Sequence, residues 1–216
     1  MKRLYIVLFF VFSFFGVAKT QAQSFNAGLL AGATFSQVDG DSYYGYHQLG
    51  WTAGAYVNLP VAEHFALQME LKYALLGAHS STKEVVEYNY NPYSLRLHYA
   101  EIPLMLRYDF GHFKIKGRSL DFLSLEAGAS LDFRMRATED VDTDFEVTTG
   151  RWRFFSLTAN AGLHVAISKH FGLGARWMYS AIPCRINPES PSHFYGHYYN
   201  KVWQFTLTYN INSPLR

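Results

Sequence analysis

The amino-acid sequence predicts an all-β chain, an eight-stranded antiparallel up-and-down transmembrane β-barrel. Three observations predict it. Apolar and polar residues alternate along eight segments, the connections between segments alternate between tight and long, and aromatic residues gather at the segment ends. Phe65 to Tyr73 shows the alternation most clearly: Phe65, Leu67, Met69, Leu71 and Tyr73 take the odd positions, against Gln68, Glu70 and Lys72 on even ones. Successive strand side chains point to opposite faces, so this segment has one apolar and one charged face. A soluble sandwich would hide the apolar face in a core, whereas a bilayer-embedded barrel turns it outward and keeps polar groups inside.

Residues 1–22 read as a secretory signal peptide, and residues 23–216 as one barrel domain. Lys2 and Arg3 form a positive start, Leu4 to Phe15 is almost wholly apolar, and Thr20-Gln21-Ala22 ends in a small residue. Cleavage is expected before Gln23. The apolar stretch is short for a membrane-spanning helix.

The first strand spans Phe25 to Phe35, with Phe, Ala and Leu on odd positions and Asn26, Gly28, Gly32 and Thr34 among the even ones. The second, Leu49 to Leu59, sets Leu49, Trp51, Ala53, Ala55, Val57 and Leu59 against Gly50, Thr52, Gly54, Tyr56 and Asn58. The third runs from Phe65 to about Leu76. In the fourth, Leu95, Leu97 and Tyr99 alternate with Arg96 and His98, and the phase then flips so that Ile102, Leu104, Leu106 and Tyr108 oppose Glu101, Pro103 and Arg107. One extra residue near Ala100, a β-bulge, would account for the flip and would accommodate Pro103. The fifth sets Leu123, Leu125, Leu131 and Phe133 against Ser124, Glu126, Asp132 and Arg134; the sixth runs from Phe155 to Ile167, the seventh from Phe171 to Tyr179 and the eighth from Trp203 to Ile211. Such lengths suit the roughly 9–11 residues of a tilted membrane strand.

Pro60 to His64 and Ser168 to His170 make tight connections, Asp109 to Ser119 an intermediate one. Val38 to Gln48, Ala78 to Tyr93, Ala137 to Arg151 and Ile182 to Asn200 are long and polar. Short turns at one rim and long loops at the other fit a bacterial outer-membrane barrel with periplasmic termini. A lipocalin-like soluble barrel is the competing fold; the aromatic strand ends (Trp51, Tyr73, Tyr108, Phe133, Phe171 and Trp203 among them) favour the membrane. The formal charge of +2 falls to −1 when Lys2, Arg3 and Lys19 leave with the signal (16 basic against 17 acidic residues), so nothing supports a nucleic-acid partner. Cys184 is the single cysteine, which excludes a disulfide-stapled scaffold.

The chain resembles the PorT-like outer-membrane β-barrel family common in Bacteroidetes. The carriers are Gly28-x3-Gly32-Ala-Thr-Phe-Ser-Gln, Gly45-Tyr46 leading to Gly50-Trp-Thr-Ala-Gly54, Gln68-Met-Glu70-Leu-Lys-Tyr73, and Tyr99-Ala-Glu101-Ile-Pro103-Leu-Met-Leu. The resemblance covers essentially the whole mature chain and implies an integral outer-membrane barrel; the namesake's role in protein secretion does not extend to every member.

Three constellations could carry chemistry. The expected inward face collects Glu70, Lys72, Arg96, Glu101, Arg107, Glu126, Asp132, Arg134 and Arg176. Eight strands leave an interior just filled by side chains, so these charges should neutralise one another as a polar plug, the alternative being a narrow ion path. Tyrosines gather in the long loops, and Tyr195, Tyr198 and Tyr199 are candidates for a glycan or protein contact at the outer rim. His193-x3-His197 lacks the helix that would make it a metal site, and Asp140-x-Asp142-x-Asp144 lacks the glycine and closing glutamate of a calcium loop, so no metal or cofactor is expected. No G-x-S-x-G elbow and no outward Ser–His pair support lipid hydrolysis, with His98 and His164 expected to point inward. The expectation is a non-enzymatic structural or interaction protein of the outer membrane, surrounded by outer-membrane lipid and lipopolysaccharide. A small porin-like channel and a lipid-modifying enzyme are the alternatives.

Overall fold

The alternation closes into a ring. The computed structural model describes residues 25–41, 43–87, 92–115, 118–141, 144–146, 152–186 and 197–211; residues 1–22, expected to be a signal, lie outside them. Eight long strands make the wall: β1 (Asn26–Asp39), β2 (Gln48–Ala62), β3 (Phe65–His79), β4 (Tyr93–Asp109), β7 (Leu123–Val141), β9 (Phe155–Ala166), β10 (Phe171–Ser180) and β11 (Tyr199–Asn210). Between them lie a short helix α1 (Thr82–Val86), a two-stranded hairpin of β5 (Lys114–Ile115) and β6 (Arg118–Ser119), and β8 (Asp144–Glu146), which extends the sheet beside β7. All neighbours are antiparallel; β1 pairs with both β2 and β11, and the pairing of β4 with β7 completes the closure. No edge strand of the wall is left to seek a partner.

The outer face carries the apolar half of the pattern: Leu29, Leu67, Met69, Leu71, Leu104, Leu125, Leu163, Leu173, Phe205 and Leu207 are all exposed. Aromatic pairs bracket this band. Phe65–Tyr108 (5.0 Å between ring centroids) and Phe171–Tyr209 (5.2 Å) lie at the short-turn rim, and Trp51–Tyr73 (4.4 Å), Phe133–Phe155 (5.7 Å) and Phe35–Phe205 (6.0 Å) toward the long loops. From Phe65 to Tyr73, eight steps of about 3.4 Å at a tilt of about 40° rise roughly 21 Å, close to the hydrocarbon band of an outer-membrane barrel.

The wall continues above that band, and there its polarity inverts. β3, β4 and β7 reach 15, 17 and 19 residues. Their upper ends, with those of β1, β10 and β11, turn Val38, Ala74, Leu76, Ala78, Leu95, Leu97, Tyr99, Ala137, Met178 and Val202 inward around Trp152 and Cys184 from the loops. On β4 and β7 the fold departs from the pattern expected from sequence. β4 contains no bulge: its odd positions point inward without interruption from Tyr93 to Arg107, so Leu95, Leu97 and Tyr99 are buried and Arg96 lies exposed on the outer wall rather than in the plug. His98 likewise faces outward, where its Nδ1 meets the Tyr73 hydroxyl at 2.7 Å. The apparent phase flip is the change of surroundings, from lipid around the wall to water around it. Pro103 is accommodated by a lapse in the β3–β4 ladder, which skips from Met69–Leu104 to Lys72–Glu101 without a register change. The bulge sits instead on β7. His98 pairs with Arg136 and Tyr99 with Arg134, leaving Met135 as the extra residue.

Candidate functional site

The inward even positions of β3 and β7, the odd ones of β4 and Arg176 of β10 meet in one buried ionic network. Arg176 crosses to the opposite wall: Nη1 donates to Glu70 Oε2 at 3.0 Å and Nη2 to Glu70 Oε1 at 2.8 Å, while Nη2 also reaches Glu126 Oε2 at 2.8 Å. Lys72 Nζ lies 3.2 Å from Glu101 Oε2 and 3.8 Å from Glu70 Oε2, and donates to Gln204 Oε1 at 2.8 Å. Arg107 pairs with Glu126 at 3.4 Å and donates to Gln68 Oε1 at 2.8 Å. Charges taken out of water need such pairing, because an isolated buried ion costs several kcal/mol. Long side chains fit because small residues face them: a Cβ on Gly54 would stand 2.5 Å from that of Lys72, and one on Gly162 3.2 Å from that of Arg176.

Asp132 lies directly opposite Glu101, accepts from the Ser130 and Thr158 hydroxyls, and has no ion-pair partner among the described residues. Arg134 is buried too, but gives its donors to loop carbonyls, Nε to Arg153 at 3.0 Å and Nη2 to Trp152 at 2.8 Å. Of the nine residues expected in the plug, the structure therefore places Glu70, Lys72, Glu101, Arg107, Glu126, Asp132, Arg134 and Arg176 inside and Arg96 outside.

Above the network the apolar cluster is roofed by loops. Cys184 is fully buried, its Sγ beside Tyr198 O, and burial pushes its thiol up to about 12. Arg185 lies over the rings of Trp152 and Tyr198 and pairs with Glu139 at 3.3 Å. Tyr43 stacks on Tyr93 at 4.7 Å. Glu84 of α1 ties two loops together, accepting the Tyr44 amide at 2.7 Å and the Ser81 amide at 2.7 Å. Burial pushes the nearby Asp41 carboxyl up to about 7.

Below the network a cavity of about 540 Å³ opens at the short-turn rim, lined by Glu63, His64, Asp109, Asp121, Ser124 and His164 among others. Sequence spacing did not reveal that Ser124, His164 and Asp109 come together here; only the β7–β9 register, which sets Ser124 opposite His164, does so. Their wiring is not that of a nucleophile and base. Ser124 Oγ donates to Asp109 Oδ1 at 2.5 Å, while His164 meets Arg107 through Nδ1 at 2.8 Å and Thr208 through Nε2 at 3.0 Å.

A closed ring of eight antiparallel strands, apolar outside and charged within, is the architecture of a bacterial outer-membrane barrel. Residues 21–182 match the family model described as outer membrane protein beta-barrel domain. The chain belongs to that family. In fold this outer-membrane barrel is similar to Ail, the attachment invasion locus protein of Yersinia pestis, at 14% identity and a TM-score of 0.50, with 86% of this chain and 98% of Ail covered. It is also similar to Neisserial surface protein A, at 14% identity and a TM-score of 0.46, with 87% of this chain and 97% of that one covered. A search of the curated proteins finds no match.

The tyrosines expected at the outer rim of the barrel divide. Tyr195 lies outside the described residues. Tyr198 turns inward, 5.8 Å from the Trp152 ring, and Tyr199 stacks on Tyr179 at 6.0 Å. Neighbouring strand positions point to opposite faces, so Tyr198 and Tyr199 do not share one contact surface. Among the described residues no three His, Cys, Asp or Glu side chains group as metal ligands; His193 and Asp142 lie outside them.

Proposed function

We propose that this outer-membrane barrel is a non-enzymatic structural or interaction protein of the cell envelope that presents a folded loop cap at the outer surface, with its signal removed before Gln23. The observation that carries the reading is the cap itself. Glu84 joins the β1–β2 and β3–β4 loops, and Tyr44 and Val86 stand beside that joint with large exposed apolar surface. Ordered loops that display apolar side chains suit recognition of another envelope protein or a glycan. A service role in secretion, as in the PorT-like proteins the sequence resembles, is the finer form of this reading. The filled interior and the Ser124–Asp109 wiring favour scaffold over channel or lipid hydrolase.

Photo-crosslinking residues placed at Tyr44 and Val86 in living cells test it. The expected result is a discrete adduct with an envelope protein or surface glycan, identified by mass spectrometry. Lipid adducts alone at both positions would remove the interaction role.

A further inference from the structure

The outer wall just above the upper aromatic girdle carries a cationic patch that the polar plug and the cap leave unused. Arg96 and Arg136 are both exposed, on adjacent strands, and His98 lies between them, directly opposite Arg136. Arg96 faces Thr138, one outward position higher, so the two guanidiniums are diagonal neighbours with Cα atoms roughly 7–8 Å apart. Neither has a hydrogen bond or ion pair among the described residues. Two like charges held this close repel each other.

The fold goes out of its way to make the pair. Unbroken alternation along β7 would send Arg136 into the apolar interior with Arg134. The bulge at Met135 leaves Arg134 inward and turns Arg136 outward, which is what bulges at functional rims do. His98 is fixed at the same height by the Tyr73 hydroxyl, and Tyr73 itself packs on Trp51 in the girdle. Aromatic girdles mark the depth of lipid headgroups, so the patch lies where phosphates of the outer leaflet run. Asp140, the acid on the same outer face of β7, stands opposite Ser94 and so lies diagonal to Arg96 on the side away from Arg136.

We propose that Arg96, His98 and Arg136 seat a phosphate monoester of a phosphorylated glycolipid in the outer leaflet. Guanidiniums bind phosphate oxygens bidentately, and two of them match the charge of one monoester. The seat rests on the outer-membrane reading, with the long loops outside.

The test uses the mature protein in nanodiscs of zwitterionic phospholipid doped with diphosphorylated lipid A, with native mass spectrometry reporting retained lipid. Parallel discs carry dephosphorylated lipid A or, at matched surface charge, phosphatidylglycerol. Wild type is expected to retain diphosphorylated lipid A selectively, and the Arg96→Gln/Arg136→Gln double variant to retain it roughly tenfold to a hundredfold less. Arg96→Lys/Arg136→Lys, which keeps the charge, is expected to fall between. Heat-modifiable gel migration establishes that each variant is folded. Equal retention by wild type and the Gln variant would overturn the seat, as would equal retention of phosphatidylglycerol or dephosphorylated lipid A. A wild-type protein that fails to enter the discs would overturn the membrane reading instead.

Discussion

Arg176 shows most sharply what a buried charge demands of its neighbours. It is shared by Glu70 and Glu126 from two other walls of the barrel, so Arg176→Leu leaves two carboxylates buried with less than their due of positive charge. Removing one partner of such a network is expected to cost about 3–5 kcal/mol. Asp132 is the opposite case. It faces another carboxylate, Glu101, and has no ion-paired cation among the described residues, so Asp132→Asn is expected to be neutral or mildly stabilising: the amide oxygen can still accept from Ser130 or Thr158, and a like-charge contact disappears. Urea titrations followed by tryptophan fluorescence in detergent or bilayers measure both. An Arg176→Leu midpoint equal to wild type, or an Asp132→Asn loss as large as that of Arg176→Leu, would show that pairing does not set the energy of this interior.

At the scale of elements, α1 should be the most separable part. Five residues cannot hold a helix by themselves, since nucleation is unfavourable and so few bonds follow it. The capping box of Ser81 and Glu84 supplies the missing partners, and Glu84 adds the Tyr44 amide from another loop. Glu84→Ala is therefore expected to loosen both loops by about 1–2 kcal/mol while the barrel below keeps its stability. Limited proteolysis should then cut near Tyr44 and Val86, with heat-modifiable migration unchanged; a wild-type cleavage pattern would contradict the clamp. The wall strands were legible in the sequence because lipid and the polar interior impose one two-residue period on Phe65 to Tyr73 and on its partners. The part of β4 above the membrane was not. Leu95, Leu97 and Tyr99 have the same alternation as a lipid-facing row, and alternation alone does not say which face is lipid. That is why Arg96 reads as interior in the sequence and stands outside in the fold. Met135 was hidden for a related reason: a bulge is a relation between two strands, visible only once His98 and Tyr99 are paired with Arg136 and Arg134. The plug partners were legible as a set of charges, but the pairing of Arg176 with Glu70 depends on which strands close the ring opposite each other.

Across the whole molecule the interior is two barriers in series, and this decides how it should behave toward ions. An ion entering from the short-turn side would find the 540 Å³ cup and then the ionic network. The void between Glu70, Glu126, His164 and Arg176 there is about 10 Å³, at or below the roughly 10–15 Å³ that a single water needs. Next comes the apolar cluster of Leu76, Leu95, Leu97, Met178 and Val202, whose own side chains offer an ion no replacement for its hydration shell, and an apolar constriction excludes water. Either barrier alone would slow conduction; together they should abolish it. Purified protein in planar bilayers is expected to give no stepwise current at voltages where a porin of known conductance, run in parallel, opens. Weakening one barrier should not suffice: Leu95→Ala/Leu97→Ala opens space in the apolar cluster but leaves the Arg176–Glu70–Glu126 lock in place, and that variant is expected to stay silent as well. Regular unitary steps from folded, heat-modifiable wild-type protein would mean that the network and the apolar cluster rearrange together, and the barrel would then have to be treated as a gated pore.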